Sequence, residues 1–310
     1  MSGGMTWALS SRWNGRRHND GAALVDEIRE LGFSAIELGY DFRRDLADGV
    51  LRRVKEGAIR VCSVHSFCPV PMSVPRGHPE IWTLANTDPF IRRKAVENLR
   101  LTMEFAAEMG ADRMVVHGGY VPMRPITNRL VRLAERGREG GGWWNWSCRR
   151  LERRRERLAP ATLERLREGL LALKADAERL GVRIALENLP NLECVPSEAE
   201  APDLLKSIDS PWIGLWYDLG HGQIRENLGY VNAYKMLERL EPWMFGLHVH
   251  DVAPPATDHV PPGQGMIHFP RYRDLIRAHP EWPRVIEPMR DAPAEDMRRG
   301  LQALRDAWGD

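Results

Sequence analysis

The chain has 310 residues, of which 43% are hydrophobic and 28% are charged, a composition typical of soluble globular proteins. Its 44 basic and 43 acidic residues give a formal net charge of +1, which argues against a general attraction to nucleic acid or to a membrane surface but is compatible with a local basic patch. No apolar run approaches the roughly 20 residues of a transmembrane helix, and the first residues resemble no signal peptide. The sequence therefore predicts a cytoplasmic protein that does not bind nucleic acid or a membrane.

The four cysteines lie far apart and form no CxxC pair. This spacing argues against a disulfide framework and against a zinc site built from thiolates. We interpret them as free thiols; they are Cys62, Cys68, Cys148 and Cys194.

Short apolar runs and amphipathic stretches alternate along the whole chain. The apolar runs predict eight strands, at residues 5–10, 33–38, 59–65, 113–117, 182–187, 213–218, 244–250 and 284–287. The amphipathic stretches predict helices at residues 20–31, 44–55, 88–109, 160–180, 197–208, 230–240 and 294–308, and one starting near Pro270. Eight strand-helix units most simply form a (β/α)8 TIM barrel, here a single domain over residues 1–310. An open doubly wound sheet is the alternative, but no GxGxxG motif opens a helix.

An insertion over residues 118–159 follows the fourth predicted strand, at the end of the barrel where active sites lie. It holds a glycine run at 140–142, an arginine-rich segment at 149–157 and three tryptophans, Trp143, Trp144 and Trp146. The simpler interpretation is a surface helix that the tryptophans dock onto the barrel or onto a second subunit of a homo-oligomer. The alternative is a lid that stacks its indole rings on a sugar.

Ligand-type side chains recur at the predicted carboxyl ends of the strands and in the loops behind them. They are Glu37, His65, His117, Glu187, Asp218, His221, His248, His250, His259 and Glu287. A single histidine there is usually a hydrogen-bonded core residue, but many buried carboxylates at one end of a barrel are costly without a cation. Imidazole and carboxylate ligands suit Mn²⁺, Mg²⁺, Co²⁺, Zn²⁺ or Fe²⁺. The pattern therefore predicts a site for one divalent metal ion, or for more than one.

Five short motifs in chain order carry a family resemblance. They are Leu186-Glu187-Asn188, Asp218-Leu219-Gly220-His221, His248-Val249-His250-Asp251, the loop from Asp258-His259 to Pro262-Gly263-Gln264-Gly265, and Val285-Ile286-Glu287-Pro288. Together they resemble the xylose isomerase-like TIM barrel superfamily, which includes sugar isomerases and 3-epimerases, inosose dehydratases and enzymes of the endonuclease IV type. The resemblance covers most of the chain apart from the insertion. It implies a metal-dependent enzyme of carbohydrate metabolism with a small-molecule sugar substrate.

The resemblance also implies a set of metal ligands. In the epimerase-like members, four residues on strands five to eight hold one divalent ion, and the matching residues here are Glu187, Asp218, His248 and Glu287. Glu187 and Glu287 would additionally act as an acid/base pair on opposite faces of the substrate, moving a proton next to a carbonyl.

Other site residues have less defined expected roles. His221 matches a histidine that contacts the substrate or a further ion in relatives, so it is a catalytic candidate. His250 falls where relatives vary, and it is expected either to contact a further metal ion or the substrate or to support the ligands from behind. Trp7 and Glu37, in the first two strands, are predicted to contact the substrate.

Two other activities stay open beside isomerisation or epimerisation. A dehydratase or other lyase shares the first proton-transfer step and differs in the group that leaves. A phosphodiester hydrolase of the endonuclease IV type uses three zinc ions, and the extra ligands would be His65, His117, His221 and His259.

Two local departures from the family pattern limit these alternatives. One carboxylate ligand expected in the hydrolases falls on Thr257, with Asp258 adjacent, and no obviously basic loop surrounds the site. An arginine that follows the seventh-strand histidine in some ketose epimerases is missing, and Pro254 and Pro255 stand in that region. The second departure argues against epimerisation of free ketohexoses.

Overall fold

The computed structural model describes residues 5–310, and eight parallel strands in it close into a barrel. The barrel strands are β1 (Trp7–Ser10), β2 (Ala35–Leu38), β3 (Arg60–His65), β4 (Arg113–Val116), β5 (Arg183–Glu187), β6 (Ile213–Asp218), β7 (Met244–Val249) and β10 (Arg284–Ile286). A separate antiparallel hairpin consists of β8 (Asp251–Ala253) and β9 (Thr257–Val260). Barrel neighbours follow chain order from β1 to β7, and β10 closes the circle between β7 and β1. The predicted (β/α)8 barrel is confirmed.

Helices surround the barrel. They are α1 (Gly21–Glu30), α2 (Ala47–Lys55), α3 (Pro89–Glu108), α4 (Thr127–Ala134), α5 (Gly142–Leu180), α6 (Ala201–Ile208), α7 (Leu219–Asn227), α8 (Ala233–Leu240), α9 (Arg273–Ala278) and α10 (Ala294–Trp308). The start of α3 shows how local sequence sets a boundary, because Asp88 accepts the amide hydrogen of Phe90 at 2.8 Å and Pro89 occupies the first turn. Within residues 5–310, no helix has both the length and the apolar character that crossing a membrane requires.

The inside of the barrel is filled by one large side chain among small ones. Trp216 packs there with the apolar residues Ala8, Ala35, Cys62, Val115, Ala185 and Val285. Gly246 leaves room for its ring, since a Cβ at that position would lie 2.3 Å from the indole. The ring also meets the imidazole of His248 edge-on, with centroids 5.3 Å apart. Trp216 therefore forms a rigid floor beneath the carboxyl end of the barrel.

The register of the strands aligns the residues at this end. Asp218 of β6 pairs with His248 of β7, and His248 pairs in turn with Val285 of β10, two residues before Glu287. Because all barrel strands run in one direction, their last residues open onto the same end.

The insertion differs from its prediction in one respect. The helix predicted to start at Pro160 begins 18 residues earlier, at Gly142, and passes through the proline. In a sequence, a proline favours the start of a helix because it lacks the amide hydrogen that a helix interior needs. Tertiary contacts outweigh that single lost hydrogen bond: Leu151 is buried in the core, and Arg155 donates to the carbonyl oxygens of Leu192 at 2.6 Å and Cys194 at 2.9 Å.

Helix α7 was not predicted from the sequence. Its two glycines and its polar residues are typical of a loop. Asp218 ends β6 and also caps this helix, accepting the amide hydrogen of His221 at 2.8 Å. Gly220 serves close packing, since a Cβ there would lie 1.9 Å from the ring of His250. The glycine is therefore a packing requirement and does not signal a turn.

The β8–β9 hairpin was not predicted either, and it explains Asp251. The carboxylate of this residue accepts hydrogen bonds from the main-chain N–H groups of Val252, Gly263, Gly265 and Ile267, each at 2.9 Å. Asp251 thus holds the loop that follows β7 and does not point into the site.

We expect Leu170→Ala to lower the free energy of unfolding by about 2–5 kcal/mol, because Leu170 on α5 is fully buried and its truncation leaves a cavity. The control is Leu171→Ala on the same helix, where the side chain is 36% exposed and the loss should stay below about 1 kcal/mol. Urea denaturation measures both. Equal losses would contradict the packing of this face of α5 on the barrel.

Candidate metal centre and substrate cavity

Four side chains converge at the carboxyl end of the barrel. Glu187 and Asp218 are the last residues of β5 and β6. His248 lies one residue before the end of β7, and Glu287 directly follows β10. Each is buried and offers one ligand atom, and the four atoms lie within 4.8 Å of one another. The structure therefore brings together the four residues predicted as metal ligands.

His248 is oriented by a carboxylate beneath it. Its Nε2 lies 3.1 Å from Oε2 of Glu37, and Glu37 also accepts a hydrogen bond from the hydroxyl of Ser63 at 2.8 Å. Because an ionised carboxylate only accepts, the hydrogen of the imidazole lies on Nε2. Glu37 thus sits behind His248 as a supporting group, not at the predicted substrate-contact position.

The opposite nitrogen of His248 faces acceptors only. Its Nδ1 lies 3.0 Å from Oε1 of Glu187, 3.4 Å from Oε2 of Glu287 and 4.0 Å from Oδ2 of Asp218. Acceptors this close repel one another unless a proton or a cation lies between them. Three carboxylates and one imidazole nitrogen are a suitable donor set for a divalent ion. The residues fit a metal centre at this point.

The electrostatics of the metal-free site agree with this conclusion. Burial lowers the pKa of His248, but the charges of Glu37, Glu287 and Glu187 outweigh it and hold that pKa well above its ordinary value. Burial raises the pKa of Glu187, yet the surrounding histidines, His248 first, bring it well below its ordinary value. A divalent ion bound here would take the place of the proton that these charges favour on Nδ1.

A second group of possible ligands joins the centre at Glu187. His65 donates its Nδ1 hydrogen to the carbonyl oxygen of Ser66 at 3.1 Å, and His117 donates its Nδ1 hydrogen to Glu80 at 3.2 Å. Both Nε2 atoms then lie 3.1 Å from Oε2 of Glu187. Burial lowers the pKa of His117, but Glu187 and Glu80 raise it to about 9. The three residues are close enough for a further ion.

A third group consists of His221, His250 and His259. His221 donates from Nδ1 to the carbonyl oxygen of Asn188 at 2.8 Å, and His259 donates from Nδ1 to the carbonyl oxygen of Glu287 at 2.9 Å. Burial and the neighbouring His250 lower the pKa of His259 to about 4, which keeps its imidazole neutral. Both residues therefore keep an Nε2 lone pair available.

His250 differs from the other two. Its Nδ1 faces two main-chain groups, the N–H of His259 at 2.9 Å and the carbonyl oxygen of Asp251 at 3.0 Å, and its Nε2 lies 3.1 Å from Oδ2 of Asp218. His259 makes this contact from a left-handed conformation with a φ of 54°. His250 thus contacts Asp218 from behind.

Several residues at the site were missed by sequence reasoning. The guanidinium of Arg12, in the loop after β1, contacts the carboxylate of Glu287 and lies over the ring of Tyr40 at 4.6 Å. Tyr120 donates to Glu80, the partner of His117. Arg12 follows the first predicted strand directly, and a charged residue at that position is the sequence signal that could have identified it.

A cavity of about 220 Å³ opens above the centre. Its lining includes Arg12, Tyr40, His65, His117, Tyr120, Glu187, His221, His259 and Glu287. The lining is dominated by charged and hydrogen-bonding groups, which suits a small polar molecule. None of the three tryptophans of the insertion lines this cavity in the described part of the chain. The lid interpretation thus has no support from their position.

Trp7 is not brought to the site. It begins β1, at the amino end of the barrel, where its ring stacks on Trp308 with centroids 5.5 Å apart and its indole N–H donates to Asp310. The substrate contact predicted for Trp7 is thus corrected, because this end of a barrel strand lies opposite the active-site end.

The family model described as the xylose isomerase-like TIM barrel matches residues 25–307. The chain belongs to this family. An uncharacterized protein of Methanocaldococcus jannaschii is 26% identical over 181 residues, which cover 58% of this chain and 51% of that protein. The chain thus matches about half the length of this curated relative.

Solved structures of similar fold cover nearly the whole chain. A D-tagatose 3-epimerase-like protein is 20% identical with a TM-score of 0.71, over 98% of this chain and 97% of that one. The IOLI protein with a binding zinc atom is 14% identical with a TM-score of 0.68, over 98% of each chain. At these identities the likeness shows a shared fold.

We expect Glu37→Gln to weaken the binding of Zn²⁺ or Mn²⁺ by about 10-fold to 100-fold, because a neutral amide lowers the basicity of His248. Competition with a chromophoric chelator measures the affinity without any substrate. Glu193→Gln is the matched control, since Glu193 is also buried but binds the start of α4. An unchanged affinity in Glu37→Gln would contradict the role of Glu37 behind His248.

Proposed function

We propose that this protein is a divalent-metal-dependent sugar isomerase or epimerase, which moves a proton at a carbon next to a carbonyl. The single observation that carries the proposal is the convergence of four buried ligand atoms from Glu187, Asp218, His248 and Glu287 within 4.8 Å, beneath a small polar cavity. Membership of the xylose isomerase-like family and the epimerase-like fold neighbour support the same class of reaction.

The two glutamates have the positions that proton transfer needs. Glu187 on β5 and Glu287 after β10 both line the cavity, and the strands β6 and β7 separate them in the barrel. The charges of Arg12 and His248 hold the pKa of Glu287 well below its ordinary value despite burial, so both carboxylates are ionised and can accept a proton. We assign removal of the carbon-bound proton to one glutamate as a carboxylate. The other glutamate delivers a proton to the opposite face of the same carbon after it has taken one up from solvent.

A bound divalent ion would polarise the carbonyl and hydroxyl of the substrate and so lower the cost of removing the adjacent proton. The chain itself supplies the remaining functions. His221 and Tyr40 line the cavity and can donate hydrogen bonds to sugar hydroxyls. Arg12 keeps Glu287 ionised and fixes its orientation. A dehydratase would use the same first step, so a lyase on the same site is the nearest alternative.

A second candidate is a multi-metal phosphodiester hydrolase. It is favoured by the group of His65, His117 and Glu187 and by the group of His221, His250 and His259, which both meet the spacing of a metal site. The orientation of His250 towards Asp218 and the absence of a carboxylate from the third group, within residues 5–310, weigh against a third ion. We therefore rank hydrolysis below proton transfer.

Solvent deuterium exchange tests the leading proposal. We expect metal-loaded wild-type protein to incorporate deuterium into one member of a panel of keto-sugars, inososes and their phosphates. Glu187→Gln should slow the exchange by about 10²-fold to 10⁴-fold because it removes a base. Glu193→Gln should exchange at the wild-type rate. Full exchange in Glu187→Gln would contradict the assignment of that base.

Metal stoichiometry separates the two candidates. Elemental analysis of the purified protein should give about one divalent ion per chain for the proton-transfer enzyme and more for the hydrolase. An abasic duplex oligonucleotide should stay intact when incubated with the metal-loaded protein. Metal-dependent cleavage of that duplex would reverse the ranking.

A further inference from the structure

The insertion over residues 118–159 has a concentrated excess of positive charge. It has eleven arginines, four glutamates, and neither lysine nor aspartate, so its formal charge is +7 in a chain whose total is +1. The rest of the chain is therefore net acidic. A charge imbalance of this size within one structural segment indicates an electrostatic function.

The arginines of α5 form a strip along one face of its first half. The strip consists of Trp146, Arg149, Arg150, Arg153, Arg154 and Arg157, which together line a groove of about 360 Å³. Their spacing of three and four residues keeps them on one helix face over about 16 Å. Arg149, Arg153 and Arg157 form an exposed row, and Arg150 and Arg154 form a half-buried row beside it.

These five guanidinium groups lack acidic partners. Within residues 5–310, no carboxylate oxygen lies within 4.0 Å of any of them. Arg155 on the same helix contrasts with them, because its Nη2 contacts Glu200 at 2.6 Å and its Nη1 holds the loop after β5. Five like charges at helical spacing repel one another. A bound polyanion would relieve that repulsion.

Exposed indole rings lie at one end of the strip. Trp143 is 64% exposed and Trp146 is 39% exposed, and their ring centroids are 6.1 Å apart. Arg129 of α4 lies 5.0 Å from the first ring and 4.9 Å from the second, and Arg150 lies 5.0 Å from the second. Exposed aromatic rings beside cationic side chains are the arrangement on which nucleobases stack.

We propose that this strip binds a single-stranded nucleic acid. The arginines that line the groove follow one face of a single helix, an elongated arrangement that suits a linear phosphodiester chain. Guanidinium groups bind phosphate oxygens in pairs, and the strip contains arginine alone among basic residues. A flat anionic membrane would also face the acidic remainder of the molecule, whereas a strand can follow the strip. The proposal is independent of the reaction at the barrel.

The proposed binding of nucleic acid differs from the prediction based on net charge. The formal charge of +1 is the sum of a basic insertion and an acidic remainder of the chain. At moderate salt the attraction between a guanidinium group and a phosphate is screened beyond about 10 Å, so the charge of the local surface determines phosphate binding. The active-site cavity is lined by other residues, and the strip is a separate surface.

The probe is a fluorescently labelled oligouridylate of about ten nucleotides, titrated with the full chain at several salt concentrations. With five phosphate contacts, the logarithm of the binding constant should fall against the logarithm of salt with a slope of about −3.5. The triple variant R149Q/R153Q/R157Q should bind at least about 10-fold more weakly, with a slope of about −1.4. R52Q/R298Q/R299Q removes the same charge from exposed sites elsewhere and should bind within about twofold of wild type.

Thermal unfolding should match wild type for both triple variants, because the substituted side chains are exposed. If the first triple variant is unstable, R153Q alone should weaken binding by about threefold to fivefold. No binding to the oligouridylate at low salt would overturn the proposal, and so would an equal loss in the two triple variants. Binding to phosphatidylserine vesicles without binding to the oligouridylate would assign the strip to lipid and overturn it as well.

Discussion

The structure of the site depends on one electrostatic constraint, the burial of several carboxylates around a single imidazole. Glu37 lies beneath His248, while Glu187 and Glu287 face its other nitrogen. Buried carboxylates at such distances repel one another. The imidazole can satisfy Glu37 with its one hydrogen, and the carboxylates on its opposite side face one another across a short distance. This donor set therefore suits a divalent cation, whose charge would offset the repulsion.

The surrounding histidines repeat one device. His221 and His259 each give the Nδ1 hydrogen to a main-chain carbonyl oxygen, which leaves Nε2 without a hydrogen. This fixes both the ring orientation and the tautomer, so the available lone pairs point towards the cavity. His250 differs from them, because its Nε2 lies against the carboxylate of Asp218. It supports Asp218, which also caps α7, so one carboxylate joins the centre to the following helix.

Several charged side chains hold the loops at the carboxyl end of the barrel by hydrogen bonds to the main chain. Arg225 is buried, pairs with Glu198 at 2.6 Å and donates to the carbonyl oxygens of Leu189 and Asn191 in the loop that lines the cavity. Asp251 holds the loop after β7 in the same way from the other side. In the insertion, Arg155 anchors α5, whereas the arginines on the opposite face remain unpaired among the described residues. Paired charges thus build the scaffold, and unpaired charges mark the surfaces available to ligands.

The sequence by itself determined the barrel, because alternating apolar runs and amphipathic stretches are local patterns that need no knowledge of neighbours. It also predicted ligand-type residues at one end of the barrel, since the ends of parallel strands meet there, and the family resemblance selected Glu187, Asp218, His248 and Glu287 among them. Tertiary structure alone decided which role each polar residue has. Glu37 lies behind His248, and Trp7 lies at the opposite end of the barrel. Arg12 lines the active-site cavity, and Pro160 lies inside a helix. Hydrogen-bond direction, burial and packing set these outcomes, and all three depend on residues distant in sequence.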